Sequence, residues 1–307
     1  MQMKKRIEIK DLLSFLGDNV IRTEGIVSKQ YVDHLTDASH VDETTLDWVN
    51  PAKENKQQIV ESSKAKILLV GEGIIYTDTL AAEGKLLIIV KDPKVQLARV
   101  GNHFFVDRPV AGIHPTALID PGADIGEGVT IGAYTVVGKA TIGDYSIIDS
   151  NVRIYDNVEL GQKCRIKAGA VLGGEGFGFE RDNEGNLFRF PQIGRLIIGD
   201  DVEIGANTCI DRGALSDTII GDYTKINNLC HIAHNNKIGK NVAIAGCVNI
   251  SGSCTIEDDV WISPNVSLRG FNHIGCGSTI GTGAVVTKDI PNNETWVGNP
   301  AHRIEKK

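Results

Sequence analysis

From Ile220 onward an aliphatic residue recurs at every sixth position: Ile226, Ile232, Ile238, Ile244, Ile250, Ile256, Ile262, Leu268, Ile274, Ile280 and Val286. Neither the helical period nor the alternation of an ordinary strand produces this spacing. Two residues before each aliphatic position the side chain is small or short, as at Thr218, Thr224, Cys230, Asn236, Val242, Cys254 and Ser278. A chain that turns a corner every six residues and closes a triangular coil every eighteen needs one large aliphatic and one small residue facing inward per side. The pattern therefore predicts a hexapeptide β-helix, with short parallel strands stacked coil on coil around one continuous core. The same step begins at Ile113, Ile119, Ile125, Ile131 and Val137, drops one residue, and resumes from Ile142 to Leu172 and from Ile198 to Ile210. Its breaks, 173–196 and 211–219, are insertions that must leave at a corner and hang outside the coil.

The first 108 residues lack this period. Ile9, Leu12, Leu13 and Leu16 mark an amphipathic helix ended by Gly17, 54–64 reads as a polar-faced helix, and Ile67–Val70 and Leu86–Val90 are apolar runs of buried-strand type. The expected organisation is mainly β: a small α/β domain over 1–108, a candidate for nucleotide-sugar binding, a β-helix over 109–290, and a short tail over 291–307.

A chain of 307 residues, 41% hydrophobic, can bury a substantial core in one or two domains. A net charge of −7 with no concentrated basic face argues against nucleic acid as a partner. Neither a signal-peptide pattern nor a run of eighteen apolar residues occurs, so no integral membrane segment is expected and the reading is cytoplasmic. The six cysteines form no CxxC pair and have no histidine at metal spacing. Cys164, Cys230 and Cys254 fall on the small inward position, where they read as reduced core residues rather than disulfides or metal ligands.

Residues eighteen apart stack at about one strand spacing, ~4.8 Å. His234, two past the inward Ile232, should face outward, with Gly252, Gly270 and Lys288 above it in the same column. Two glycines above a histidine leave a strip of bare backbone running toward a cation, a groove for a long thin ligand. Below His234 the count places Asp211 and Arg212; a carboxylate there would hold the imidazole in one tautomer and raise its basicity. The N–H of Gly252 would donate to an oxygen that becomes negative during attack on a thioester. His114, His231 and His273 fall outside this column and read as surface residues. The 173–196 insertion carries Phe177, Phe179, Phe188 and Phe190, and exposed aromatics on so long a loop suggest contact with a ligand or a neighbouring subunit. The alternative is a β-hairpin folded back on its own coil. Gly174, Gly176 and Gly178 echo a dinucleotide fingerprint, but no helix follows.

The segments HIAHNNKIG, IDRGALSDTIIG and GEGFGF together resemble the UDP-3-O-acylglucosamine N-acyltransferases of lipid A biosynthesis, strongly from about Ile113 to Leu268 and more weakly in the N-terminal domain. The resemblance implies left-handed coils, a homotrimer with active sites between subunits, and transfer of an acyl chain from the phosphopantetheine thioester of acyl carrier protein to the amine of a UDP-linked glucosamine. It implies His234 as general base, Gly252 as oxyanion donor, and no bound cofactor or metal. Where the family carries an aromatic, an asparagine and a tyrosine against uracil, this chain has Trp48, Asn50 and Lys53; His231 stands where the family has a glutamine. The candidate substrate-contacting set is Trp48, Asn50, Phe177, Phe179, Arg212, Asn228, His231, Arg269, Gly270 and Lys288. The tail, WVGNPAHRIEKK, resembles that of coenzyme A-dependent sugar acetyltransferases, which leaves acyl carrier protein and coenzyme A both open as donor. Two other readings stay open: a coenzyme A-dependent N-acyltransferase for a dideoxy-amino surface sugar, and a non-catalytic β-helix scaffold.

Overall fold

Short-range patterning and stacking divide the chain into two units, Met1–Arg108 and Pro109–Lys307. A computed structural model describes residues 5–26 and 31–305. In the N-terminal unit the apolar runs become neighbouring strands. Leu46–Trp48, Ile67–Val70 and Leu86–Val90 pair in parallel, and Val20–Glu24 adds antiparallel to the last of them. Every side chain of Ile67–Val70 is buried, because both faces of this sheet are covered. The expected first helix is Ile9–Leu16 and stops at Gly17, whose positive φ no β-branched residue would adopt readily. The polar-faced helix is shorter than expected, Lys56–Ser62.

From Gly112 onward the six-residue step builds a parallel β-solenoid. Among the described residues its strands fall into three sheets of eleven, nine and eight members. One coil illustrates the rule: Lys225–Ile226 lies in the first sheet, His231–Ile232 in the second and Lys237–Ile238 in the third. Each pairs in register with the strand eighteen residues on, as Ile226 with Ile244, Ile232 with Ile250 and Ile238 with Ile256. From Ile131 to Val286 the aliphatic of each strand and the small residue before it are buried together, including Cys164, Cys230, Cys254, Asn236 and Ser278, whereas Ile113 at the open first coil is exposed. Burial pushes the Cys164 thiol up to about 11, so it is an inert core group. No cysteine is in a disulfide. At most corners the third residue past the aliphatic takes positive φ, such as 62° at Asn235 and 54° at Asn241, which explains the recurrence of asparagine there.

Residues 291–304 are more than a tail. Thr295–Val297 adds in parallel to Thr279–Ile280 and then pairs antiparallel with His302–Ile304, while Trp296 packs against the core. The sheet edge is thereby turned back on itself.

Both insertions leave at the corner between the second and third sheets. The first forms an antiparallel hairpin, Phe179–Arg181 with Leu187–Arg189, as the hairpin alternative supposed. Phe177 and Phe188 on it remain exposed. Its returning arm is stitched to the second insertion: Ile193 and Gly194 donate to the Ala214 carbonyl, and Arg195 pairs with Asp217 at 2.7 Å and Glu159 at 2.8 Å. These two carboxylates hold the Arg195 guanidinium firmly in its charged form.

Candidate active site

The register places His234, Gly252, Gly270 and Lys288 one above another, two residues past Ile232, Ile250, Leu268 and Val286. His234 is half-buried with its ring on the outside of the coil, as expected. The ring lies directly under Gly252: a Cβ there would stand 2.8 Å from Cε1 and 3.0 Å from Nε2. Gly176 of the first insertion closes the other side, where a Cβ would meet His234 Cβ and Cδ2 at 2.8 Å. Only backbone on both sides gives the imidazole its slot.

The amides of this corner are used differently from those where the third sheet turns into the first. At several positions on the solenoid, mostly where the third sheet turns into the first, the N–H two residues past the aliphatic is capped by an aspartate one coil up: Asp144 accepts from Glu127 at 2.8 Å, Asp156 from Lys139 at 2.9 Å, Asp200 from Gln162 at 3.0 Å and Asp258 from Lys240 at 2.7 Å. Each cap sits over a glycine, Gly126, Gly138, Gly161 or Gly239, where a Cβ would lie within 2.5 Å of the carboxylate. Above His234 the corresponding pairs are Ser251–Gly252 and Arg269–Gly270, with neither the glycine below nor the aspartate above. The outward N–H of Gly252 accordingly makes no hydrogen bond among the described residues.

His234 has a defined tautomer. Nδ1 lies 2.8 Å from Asn235 Oδ1. That carboxamide is oriented from its other side: Oδ1 accepts the Ala214 N–H at 3.1 Å and Nδ2 donates to Ser216 Oγ at 2.7 Å. With Oδ1 fixed as acceptor, Nδ1 must carry the proton, and Nε2, beneath Gly252, presents a lone pair. The second insertion, which supplies Ala214 and Ser216, thus sets the protonation pattern of the histidine.

This corrects the role expected of Asp211. Its carboxylate is 3.9 Å from His231 Nε2, and the direct partner of His234 is Asn235. Burial raises the Asp211 pKa, with the charges of His231 and His234 acting the other way. Asp211 is therefore a buried neighbour of both rings rather than the orienting group.

The other candidates separate. Gly270, Arg269 and Lys288 continue the bare edge. Arg212 stands beside it, its Nε donating to the Gly173 carbonyl at 2.9 Å, so it anchors the first insertion. Phe179 is covered by Arg189, 4.7 Å from the ring centroid, and meets Phe177 edge-on at 5.0 Å. Asn228 belongs to the preceding corner of the coil, where Oδ1 caps the Ala206 amide at 2.7 Å. Its side-chain oxygen is therefore used within the solenoid itself. In the N-terminal unit, Trp48 packs against the buried cluster around Leu46, Leu69 and Ile88, and Asn50 Oδ1 accepts the Ala52 N–H at 3.0 Å. Strand alternation turns the tryptophan inward, and the turn uses the asparagine. His273 pairs with Glu257 at 2.9 Å on the outer face of the third sheet. Among the described residues no group of three or more histidine, cysteine or acidic side chains is placed to hold a metal.

Asn235 was missed by counting columns, although its place at a positive-φ corner directly after the histidine was a usable signal. Gly176, which approaches the ring, and Gln192 beside it were not legible because a loop's path is not periodic.

A UDP-3-O-acylglucosamine N-acyltransferase from Bordetella pertussis is 36% identical over 274 residues, spanning 81% of this chain and 75% of the relative. The chain belongs to that family. A relative of the same name from Methylobacterium nodulans is 48% identical over 147 residues, 48% of this chain and 42% of the relative, so the chain spans less than half the length of this relative. The family model "Bacterial transferase hexapeptide (six repeats)" matches residues 139–174. Among solved structures, UDP-N-acetylglucosamine O-acyltransferase from Moraxella catarrhalis superposes with a TM-score of 0.58 at 29% identity, covering 62% of this chain and 73% of that one. LpxA from Acinetobacter baumannii does so with a TM-score of 0.57 at 30% identity, covering 62% and 73%. This chain thus shares a fold with acyltransferases of related name over about three fifths of its length. No described helix is long and apolar enough to cross a membrane.

Proposed function

We propose that the chain transfers an acyl group from a phosphopantetheine thioester to the amine of a UDP-linked 3-O-acylglucosamine, with His234 as general base. The observation that carries this reading is one corner of the solenoid where a single-tautomer histidine offers Nε2 directly beneath an uncapped amide, that of Gly252. In the reaction the sugar amine attacks the thioester carbonyl carbon and a C–N bond forms. His234 Nε2 takes the amine proton, and the Gly252 N–H receives the developing oxyanion. Collapse breaks the C–S bond, and the imidazolium returns its proton to the leaving sulfur. The protein's own groups suffice for each proton, so no bound cofactor or metal is called for.

Gly252, Gly270 and Lys288 give the pantetheine arm an edge free of side chains ending at a cation. The family relatives support the acceptor, and a homotrimer acting in the cytoplasm completes the proposal. The carrier is acyl carrier protein or coenzyme A; offering purified protein both thioesters in parallel identifies it by the one consumed.

A scaffold needs no uncapped amide over a histidine. His234→Ala separates the readings: turnover of thioester plus UDP-3-O-acylglucosamine should fall by about 10²–10⁴, with the melting temperature unchanged. Undiminished turnover in this variant would remove His234 from the reaction.

A further inference from the structure

Gln192 lies at the end of the first insertion and is 6% exposed. Its Oε1 is fully buried and has no hydrogen-bond partner among the described residues, while Nε2 reaches only the Phe190 carbonyl at 3.4 Å. Interchanging the two atoms would set oxygen against that carbonyl, so the assignment stands on chemistry. A buried acceptor left unpaired is destabilising, and a ligand that donates to it relieves that cost.

The position of this oxygen gives it a meaning. The point where a Cβ on Gly176 would sit is 3.0 Å from Gln192 Oε1 and 2.8 Å from His234 Cδ2. The same point is 2.8 Å from His234 Cβ, so the orphaned acceptor stands across the Gly176 backbone from the Cβ–Cδ2 flank of the imidazole, whose Cδ2 is bonded to Nε2. The backbone between them is the turn at 175–178, which carries no regular secondary structure, and its two glycines leave room for the carboxamide: a Cβ on Gly178 would come within 2.7 Å of Nε2.

Building on His234 as base, we infer that Gln192 is an acceptor-positioning residue: its Oε1 receives one N–H of the attacking amine while His234 Nε2 removes another. The turn at 175–178 shifts to admit the amine, and the glycines permit that movement. Two acceptors converging on one nitrogen fix the direction of its lone pair toward the thioester, which a base alone does not do. The residue thus selects a primary amine over a sugar hydroxyl, which has only one hydrogen to give; water has two but is small and free to rotate, so it attacks without depending on this second acceptor.

The test compares aminolysis with hydrolysis. Gln192→Met keeps the length and volume of the side chain and removes the oxygen; Gln192→Asn keeps the amide and withdraws it by one methylene. Each is assayed beside wild type and His234→Ala with acyl carrier protein thioester and coenzyme A thioester, with and without UDP-3-O-acylglucosamine. For Gln192→Met we expect an unchanged or raised melting temperature, at least a tenfold loss of kcat/KM for the amine, an unchanged KM for the thioester, and undiminished thioester hydrolysis; Gln192→Asn should fall between. Equal loss of aminolysis and hydrolysis, or loss of neither, would overturn the assignment and leave Gln192 as a brace for the turn. His234→Ala should lose both rates; if it lost neither, the base would be misassigned, a failure visible separately from that of Gln192.

Discussion

Two corners of the same prism have nearly the same backbone and opposite surfaces. Where the third sheet turns into the first, the coils read Gly–Glu, Gly–Asp, Gly–Gln, Gly–Asp, Gly–Asp and Gly–Lys from Gly126 to Lys240, and aspartates seal four of the outward amides from above. Where the second sheet turns into the third, the coils above the insertions read Ala233–His234, Ser251–Gly252 and Arg269–Gly270, and the edge is left open. The difference teaches that reactivity on a repetitive scaffold is made by omission. A carboxylate that satisfies an N–H stabilises the coil and removes a donor, and deleting the cap converts a structural amide into one that can meet a developing negative charge.

The comparison can be broken by rebuilding the sealed corner at the site. Ser251→Gly with Gly270→Asp restores both members of the capping pair and should place a carboxylate on the Gly252 N–H. Turnover is expected to fall by about 10²–10³, the cost of losing one oxyanion donor, with the stability of the solenoid retained or increased. Ser251→Gly alone should leave turnover near wild type; a fully active double variant would show that the Gly252 amide is not used.

A smaller effect sharpens the same contrast through the imidazole. Asn235→Gly keeps the positive φ of 62° and removes the acceptor on Nδ1–H; kcat should drop about tenfold with little change in KM, and Asn235→Asp, which keeps an acceptor, should recover most of it. Steady-state kinetics with two-dimensional NMR of the His234 ring nitrogens checks both, since the tautomer ratio should shift only in the glycine variant.

The smallest effect is expected at the sealed corner. Asp222 caps the Asp200 amide at 3.0 Å and receives Lys240 at 2.7 Å. Asp222→Ala should cost about 1 kcal/mol in denaturant unfolding and leave turnover untouched, because an uncapped amide without a histidine has nothing to act on. A loss of turnover comparable to that at Asn235 would mean that the caps govern the geometry of the whole coil.

Much of this was legible in advance. The hexapeptide frame located every inward aliphatic, put Cys164, Cys230 and Cys254 in the core, and turned His234 outward beneath Gly252 and Gly270. It failed where partners come from outside the frame. Asp211 was placed next to His234 by counting across an irregular stretch, but it directly follows Ile210, which pairs with Ile232, and strand alternation puts its carboxylate on the outer face of the second sheet beside His231. Trp48 was matched by family position, and only the packing of the N-terminal sheet shows its ring against the core.

The chain's own order determined the period, hence the coils, the stacking of residues eighteen apart, and the bare edge over one histidine, because each of these follows from side-chain size repeated at a fixed local spacing. The fold alone decided which nitrogen of that histidine holds the proton and what closes over its ring. Those depend on Asn235 meeting Ala214 and Ser216, and on Gly176 and Gln192 returning across the insertion, contacts between segments whose paths no repeat dictates.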